Sequence, residues 1–517
     1  MAPQFTLITA VIALLSSSMS SPSGVAPKFH PDDPLQRDND RAVNITEITK
    51  HKLNDQYDLL QHSFGKVGDR SKAPAANVNT LGEVPDSSWF QNRHGMAPMS
   101  LSELITGPNT GDGPATDQPW IIIQAKTEGV TPGFRIRDGR GDIYFIKFDP
   151  LDNPELSTAA EVISTKFFYA IGYNVPENYI TFFRRNQLQI DQKANLTEKD
   201  LDDLLKRARQ RADGTYRVVA SKLLSGIPIG PFQYFGTRPD DPNDIFSHEN
   251  RRELRGLRVF SAWLNHDDSR AINTLDMLVN EDGRRYVKHH LIDFGSTLGS
   301  GTSGPQKPRA GWEYLWEPKV VFARMATLGL WDRQWIRTKY EEHPGIGNFE
   351  STDFEPEQWK PEYPNPAFNN MTDQDGYWAA KIVMAFSEKD IRAIVSTGQL
   401  SDPESEEYLV QILIERQRKI GRVWLTRLSS FDDFEWTANG EMRFQHLGSS
   451  YDFGRRPEFQ ISWFRFDNRT RTKQPIPEFH SKLNDGYYVG VISSAEGKVE
   501  VYVRLVAGAP QVVGVER

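Results

Sequence analysis

From Trp120 to Asp149 the chain alternates short apolar runs, IIIQAK, GFRIRD and IYFIKF, with glycine-bearing turns such as Asp138-Gly139-Arg140-Gly141, which predicts β-hairpins ending in a buried strand over 143–148. The loop 150–157 then supplies a Ser or Thr N-cap, the pattern TAAEVISTKFFYAI over 158–171 predicts a helix, and Gly172 closes it. A charged helix over 196–212 reads as an exposed insertion, and YRVVASKLL over 216–224 returns to strand composition. Leu254, Leu257, Ser261 and Leu264 lie three or four apart and predict the buried stripe of a helix running into the polar stretch 265–273. Two strands, 275–280 and 285–292, bracket the turn Glu281-Asp282-Gly283. Helical patterns fill 318–428 apart from a proline-rich loop at 356–366, and 431–517 clusters β-formers between turns, which predicts a small C-terminal β-sandwich.

The start of the chain reads differently. The apolar run FTLITAVIALL over 5–15 has the length of a signal-peptide core and is followed by small polar residues, so residues 1–23 are expected to be a signal peptide. Export to a periplasmic or extracellular space is the favoured location and the cytoplasm the alternative, because no Lys or Arg precedes Lys28. Residues 24–83 lack apolar periodicity and read as a linker or loosely packed leader. No later run approaches the roughly 18 apolar residues a membrane span needs.

Composition narrows the chemistry. Hydrophobic residues at 38% and charged residues at 25% are those of a globular protein, and 61 basic against 69 acidic residues, with no long basic run, argue against nucleic acid as a partner. There is no cysteine, which excludes disulfides, thiolate nucleophiles and cysteine-held metals and leaves oxygen or imidazole ligands. His266, His289 and His290 lack metal-ligand spacing and read as structural, and no G-x-S-x-G elbow is present.

What the chain does carry, in order, is the set of groups that phosphoryl transfer from ATP requires: a cation for the phosphates, oxygen ligands for magnesium and a carboxylate for the acceptor hydroxyl. Lys147 stands in an apolar strand, where a long cation needs a cleft and a partner, and Glu161 in the next helix is the candidate partner. Asp268 precedes Asn273 by five residues in a loop after a buried helix, the D-x-x-x-x-N spacing, so Asp268 can reach a hydroxyl while Asn273 turns to a metal. Asp293, in Leu291-Ile292-Asp293-Phe294-Gly295, ends a hydrophobic strand and is the candidate principal magnesium ligand. Read blandly, Asp267 and Asp268 are a solvated turn and Asp293 a strand-end turn residue.

With these motifs, residues 115–425 resemble the atypical protein-kinase-like superfamily, in the style of the HipA-type and CotH-type kinases and the lipid-kinase branch. The resemblance implies an α+β, two-lobed protein-kinase-like fold: an N-lobe with its leading segment over 84–225, a mainly helical C-lobe over 226–430, ATP between them, and the β-rich domain at 431–517 as an addition. It implies ATP with Mg2+, or Mn2+ in its place, as cofactors. Catalytic roles fall to Asp268, Lys147 and Glu161, and metal ligation to Asn273 and Asp293. Departures are visible. No G-x-G-x-x-G precedes the lysine strand, so Gly129, Thr131 and Gly133 of GVTPG are the candidate phosphate loop, with an ordinary hairpin turn as the alternative. Asn265-His266-Asp267-Asp268 replaces His-Arg-Asp, which leaves Asp267 in competition with Asp268 as base, and no A-P-E segment follows Asp293. The expected activity is a phosphotransferase acting on a hydroxyl of an unidentified protein or small molecule. An exported pseudokinase serving as a binding or scaffold protein, and AMP transfer on the same fold, are the alternatives.

Overall fold

The computed structural model describes residues 26–125, 133–327, 333–437 and 441–517. The expected signal peptide over 1–23 lies outside the described residues, as do Gly129 and Thr131. Among the described residues no helix is long and apolar enough to cross a membrane.

Residues 26–83 do not hang loose. They cross the body as a strap that includes the helix α1 (Asp55–Phe64), N-capped by the Asn54 side chain on Tyr57 N at 3.0 Å. Phe29 packs with Tyr487 and Tyr502 near the C-terminus, and Ile45 with Ile229, Leu278 and Val287. His51 N donates to Ile229 O (2.8 Å), and Thr80 Oγ1 to Val513 O (2.6 Å). The apolar anchors of this segment, Phe29 and Ile45, fill recesses far apart on the body, so no periodicity betrays them. The segment 85–90 then inserts Trp89, whose ring stacks on His289 at 3.4 Å beneath the Arg251 guanidinium.

After a short helix α2 (Leu101–Thr106) comes a mixed six-stranded sheet, ordered β4-β6-β3-β2-β1-β5. Its strands are β1 (Trp120–Ala125), β2 (Gly133–Arg137), β3 (Ile143–Phe148), β4 (Asn178–Phe183), β5 (Leu188–Ile190) and β6 (Tyr216–Lys222). All neighbours run antiparallel except β1 and β5. Alternation sends Trp120, Ile122, Phe134, Ile136, Tyr144, Ile146 and Phe148 to one core. The helix α3 (Leu156–Ile171) lies between β3 and β4 in sequence. The charged insertion is a shorter helix than its sequence predicts, α4 (Glu198–Leu205), and it is not merely exposed: Leu201 and Leu205, one turn apart, are buried in the core of the sheet.

The helical part follows. A three-stranded sheet of β7 (Ile227–Gly230), β8 (Thr274–Glu281) and β9 (Arg284–Leu291) flanks α5 (Arg252–Leu264). Beyond the two-residue strands β10 (Ser300–Gly301) and β11 (Gly304–Pro305) come α6 (Pro318–Ala326), α7 (Gln334–Arg337), α8 (Pro366–Asn369), α9 (Asp373–Ala385), α10 (Glu388–Ser396) and α11 (Pro403–Leu425). One core joins Trp263 of α5, Trp378 of α9 and Leu413 and Ile420 of α11 to Ile163, Phe167 and Phe168 of α3. Arg217 of β6 binds this part too, donating to Gln399 O (2.8 Å) and Gly398 O (2.5 Å) between α10 and α11.

The C-terminal region is an antiparallel sheet ordered β15-β14-β16-β17-β18, comprising β14 (Phe459–Phe466), β15 (Lys473–Ile476), β16 (Gly486–Ser494), β17 (Gly497–Val506) and β18 (Ala509–Glu516). A hairpin of β12 (Phe431–Trp436) and β13 (Met442–His446), followed by the turn of helix α12 (Leu447–Ser450), lays Phe431, Phe434 and Phe444 against Ile492, Val499 and Val501 of the sheet. Phe29 of the strap packs with Val489, Tyr502 and Val513, residues that alternation turns to the opposite side. Trp436 and Trp463 meet around Phe479 in a separate cluster with Val503 and Leu505.

Candidate functional site

Lys147 sits on β3 with Tyr144, Ile146 and Phe148 pointing into the sheet's core, so its own side chain leaves on the opposite face. Directly across β2 its partner is Gly133, which has no side chain to crowd it. Immediately after β3, the Asp149 carboxylate accepts from Thr158 N (2.8 Å) and Thr158 Oγ1 (2.9 Å) and so caps the start of α3. The expected Ser or Thr cap from 150–157 is therefore corrected. The residue at the N-cap position is Glu155, in a left-handed conformation with no side-chain bond to the helix, and a carboxylate from the strand end does the work.

Glu161 is buried in α3 and meets Lys147, Nζ to Oε2, at 3.1 Å. Lys147 Nζ also lies 2.9 Å from Asp293 Oδ1. The second oxygen of Glu161 accepts from Asn178 Nδ2 at 3.2 Å, and the same amide donates to Thr165 Oγ1 at 2.7 Å, which fixes the carboxylate. Burial is the largest influence on Lys147 and opposes its charge, but the Asp293 and Glu161 carboxylates outweigh it and raise its pKa. Burial pushes the Glu161 carboxyl up, against the pull of Lys147.

The loop after α5 begins where Asn265 takes a left-handed turn (φ 50°) and closes the helix. His266 is buried beside Phe168 and Phe294, and burial pushes its pKa down to about 4, so the ring is neutral. Asp267 Oδ1 accepts from Gln306 Nε2 at 2.7 Å, while burial, aided by Glu362 and Asp268, raises the Asp267 pKa strongly. Asp268 pairs with Arg270 and keeps 18% of its side chain exposed. Burial raises its pKa to about 7 although Arg270 pulls the other way. The loop folds back as its spacing predicts, with Asn273 Nδ2 donating to Asp268 O at 2.8 Å.

Asn273 and Asp293 are neighbours because β8 and β9 pair Thr274 with Leu291, and one step beyond that register Ile292 N donates to Asn273 O at 3.0 Å. Asp293 follows in a left-handed conformation (φ 63°). Phe294 is fully buried and stacks on Phe168 of α3 at 4.9 Å. At Gly295 a Cβ would stand 3.2 Å from Glu161 Oε2, which favours glycine there. Thr297 and Ser164 hydroxyls, 2.7 Å apart, tie the next turn to α3.

Lys147, Glu161 and Asp293 are thus in contact, and Asn273 and Asp268 stand behind them on one folded loop. Gly133 borders the lysine. Residues that no local motif marks complete the cluster: Asn178 on Glu161, Gln306 on Asp267, and Arg270 with Glu362 at Asp268. Only Arg270 stood within a motif, between Asp268 and Asn273. For a divalent cation the donors fit, since Asp293 offers a carboxylate and Asn273, with its amide nitrogen engaged on Asp268 O, offers its oxygen. Among the described residues no group of three or more His, Asp or Glu is arranged to hold a metal ion, and a cation on Asp293 and Asn273 would take its remaining ligands from phosphate and water, as magnesium does. His289 instead holds Asp276, Nδ1 to Oδ1, at 2.7 Å.

No family model and no curated protein matches the chain. Among solved structures it is similar to the Helicobacter pylori proinflammatory kinase CtkA, at 14% identity and a TM-score of 0.33, over 58% of this chain and 92% of that one. A likeness of that size leaves the site to be read from its own geometry.

Proposed function

We propose that the protein is an ATP- and magnesium-dependent phosphotransferase of the atypical kinase-like type, two-lobed about the Lys147 site, that transfers the γ-phosphoryl group to a hydroxyl of a protein or small molecule. The observation that carries this reading is the shared contact of Lys147 with Glu161 and Asp293, with the Asn273 amide held beside Asp293 by the β8–β9 register. In this reading Glu161 orients Lys147, Lys147 binds phosphate oxygens, and Asp293 and Asn273 hold the cation that neutralises the phosphates when bound. Asp268 accepts the proton of the acceptor hydroxyl. It is preferred to Asp267 for its D-x-x-x-x-N spacing to Asn273, whose amide closes the loop on Asp268 O, while the Asp267 carboxylate is engaged by Gln306.

The test is magnesium-dependent ATP binding and turnover by wild type, Asp268→Asn and Asp293→Asn. Wild type is expected to release ADP slowly, Asp293→Asn to lose its metal dependence, and Asp268→Asn to bind ATP without turning it over. Release of pyrophosphate in place of ADP would move the reading to AMP transfer. Absence of nucleotide binding with magnesium or manganese would sink both and leave a binding protein.

A further inference from the structure

The loop that carries Asp268 is gripped from outside by the strap. Arg270 pairs through Nε with Asp268 and stands 3.5 Å from Glu362 Oε2, and its Nη1 reaches Asp55 Oδ1 on the first turn of α1 at 3.1 Å. One turn further along α1, the buried Asp58 accepts from Tyr363 Oη at 2.5 Å, and His62 packs against the rings of Phe235 and Tyr363. Tyr363 directly follows Glu362, whose N donates to Asp267 O at 2.8 Å. A helix more than two hundred residues earlier in the chain therefore holds both the cation beside Asp268 and the segment behind Asp267.

We propose that Asp55 and Arg270 are positioning residues for Asp268, so that α1 is a working wall of the catalytic loop. This rests on the phosphotransferase reading for its meaning in turnover. Asp55 contacts Arg270 and reaches Asp268 through it, so the effect of its removal on the loop passes through the arginine.

The experiment compares wild type, Arg270→Gln, Asp55→Asn, Asp55→Glu and Asn44→Ala, each as the full chain, by hydrogen exchange of the amides of residues 266–273 and by the kcat and KM of ATP turnover. Arg270→Gln is expected to speed exchange of the loop most, and Asp55→Asn to speed it by a smaller factor with a roughly threefold loss of kcat and an unchanged KM for ATP. Asp55→Glu should restore both. Asn44→Ala removes a different strap contact, Oδ1 to Arg285 N at 2.9 Å, and should leave both unmoved. Unchanged exchange over 266–273 in Asp55→Asn overturns the positioning role whatever the turnover. Faster exchange in a protein that turns over no nucleotide upholds the positioning of the loop and overturns the phosphotransferase reading instead.

Discussion

At Lys147 one ammonium is shared by Glu161 and Asp293, and at Arg270 one guanidinium is shared by Asp268, Glu362 and Asp55. The two clusters differ at their most enclosed carboxylate. Glu161 keeps 1% of its side chain exposed and Asp268 keeps 18%, while Asp293 and Asp55 keep 49% each. Glu161 pairs with no other cation among the described residues, so removing the lysine strands a buried charge. At Arg270 each carboxylate keeps some access to solvent, and the arginine orients the loop more than it sustains the fold. Equal bookkeeping of charges thus gives a structural keystone in one place and a tuning device in the other.

The sharpest way to break this contrast is Lys147→Met, which should abolish turnover and destabilise the protein by about 3 kcal/mol in urea unfolding. Combining it with Glu161→Gln should recover much of that stability and none of the turnover. Equal melts for the single and double variants would show that Glu161 is not stranded. Next in size is the pH dependence. In the phosphotransferase reading Asp268 works as a carboxylate, and with its pKa pushed up to about 7 turnover should fall about tenfold per unit as pH drops below that value. Its stability effect has the opposite sense, since a carboxyl whose folded pKa is raised stabilises the fold at low pH and loses that contribution as pH rises through the folded value. Asp268→Asn should accordingly be more stable than wild type at about pH 8, with the difference closing toward about pH 4. Gly295→Ala should cost about 1 kcal/mol, with a larger proportional loss of turnover, because the new methyl presses on Glu161 Oε2. The smallest effect is expected from Asn54→Ala. Losing the cap of α1 should cost at most about 1 kcal/mol and move the hydrogen exchange of residues 266–273 toward that of Asp55→Asn.

The Lys147 cluster was readable along the chain because its members lie in regular elements or directly at their ends. Alternation in β3, the helical period of α3 and the pairing of β8 with β9 dictate where Lys147, Glu161, Asn273 and Asp293 project. Asp268 could be picked out by its distance from Asn273, but its competition with Asp267 turns on Gln306, a residue whose position no local pattern specifies. Asn178 opens a strand, where an amide is unremarkable until its partner Glu161 is seen. Asp55 lies in a segment that reads as a leader, since its anchors are isolated residues and its partners, Arg270 and Tyr363, are far off in sequence. The same holds for the start of α3, where the cap comes from Asp149 before the loop and not from within it. The α+β character and the order of β-rich, helical and β-rich regions followed from periodicity, whereas the path of residues 26–83 depended on contacts that periodicity does not encode.

The strap is fastened at Phe29 and Thr80 to strands more than four hundred residues further along the chain, Phe29 against Tyr502 and Thr80 on Val513. Until those strands have been made, neither buckle can close. The loop bearing Asp268 is then complete in sequence long before its outer wall is secured at both ends. A nascent or nicked chain lacking these strands should accordingly hold α1 by its contacts with the helical part, Asp55 with Arg270 and Asp58 with Tyr363, and in the phosphotransferase reading such a cut would act on Asp268 from a distant part of the sequence.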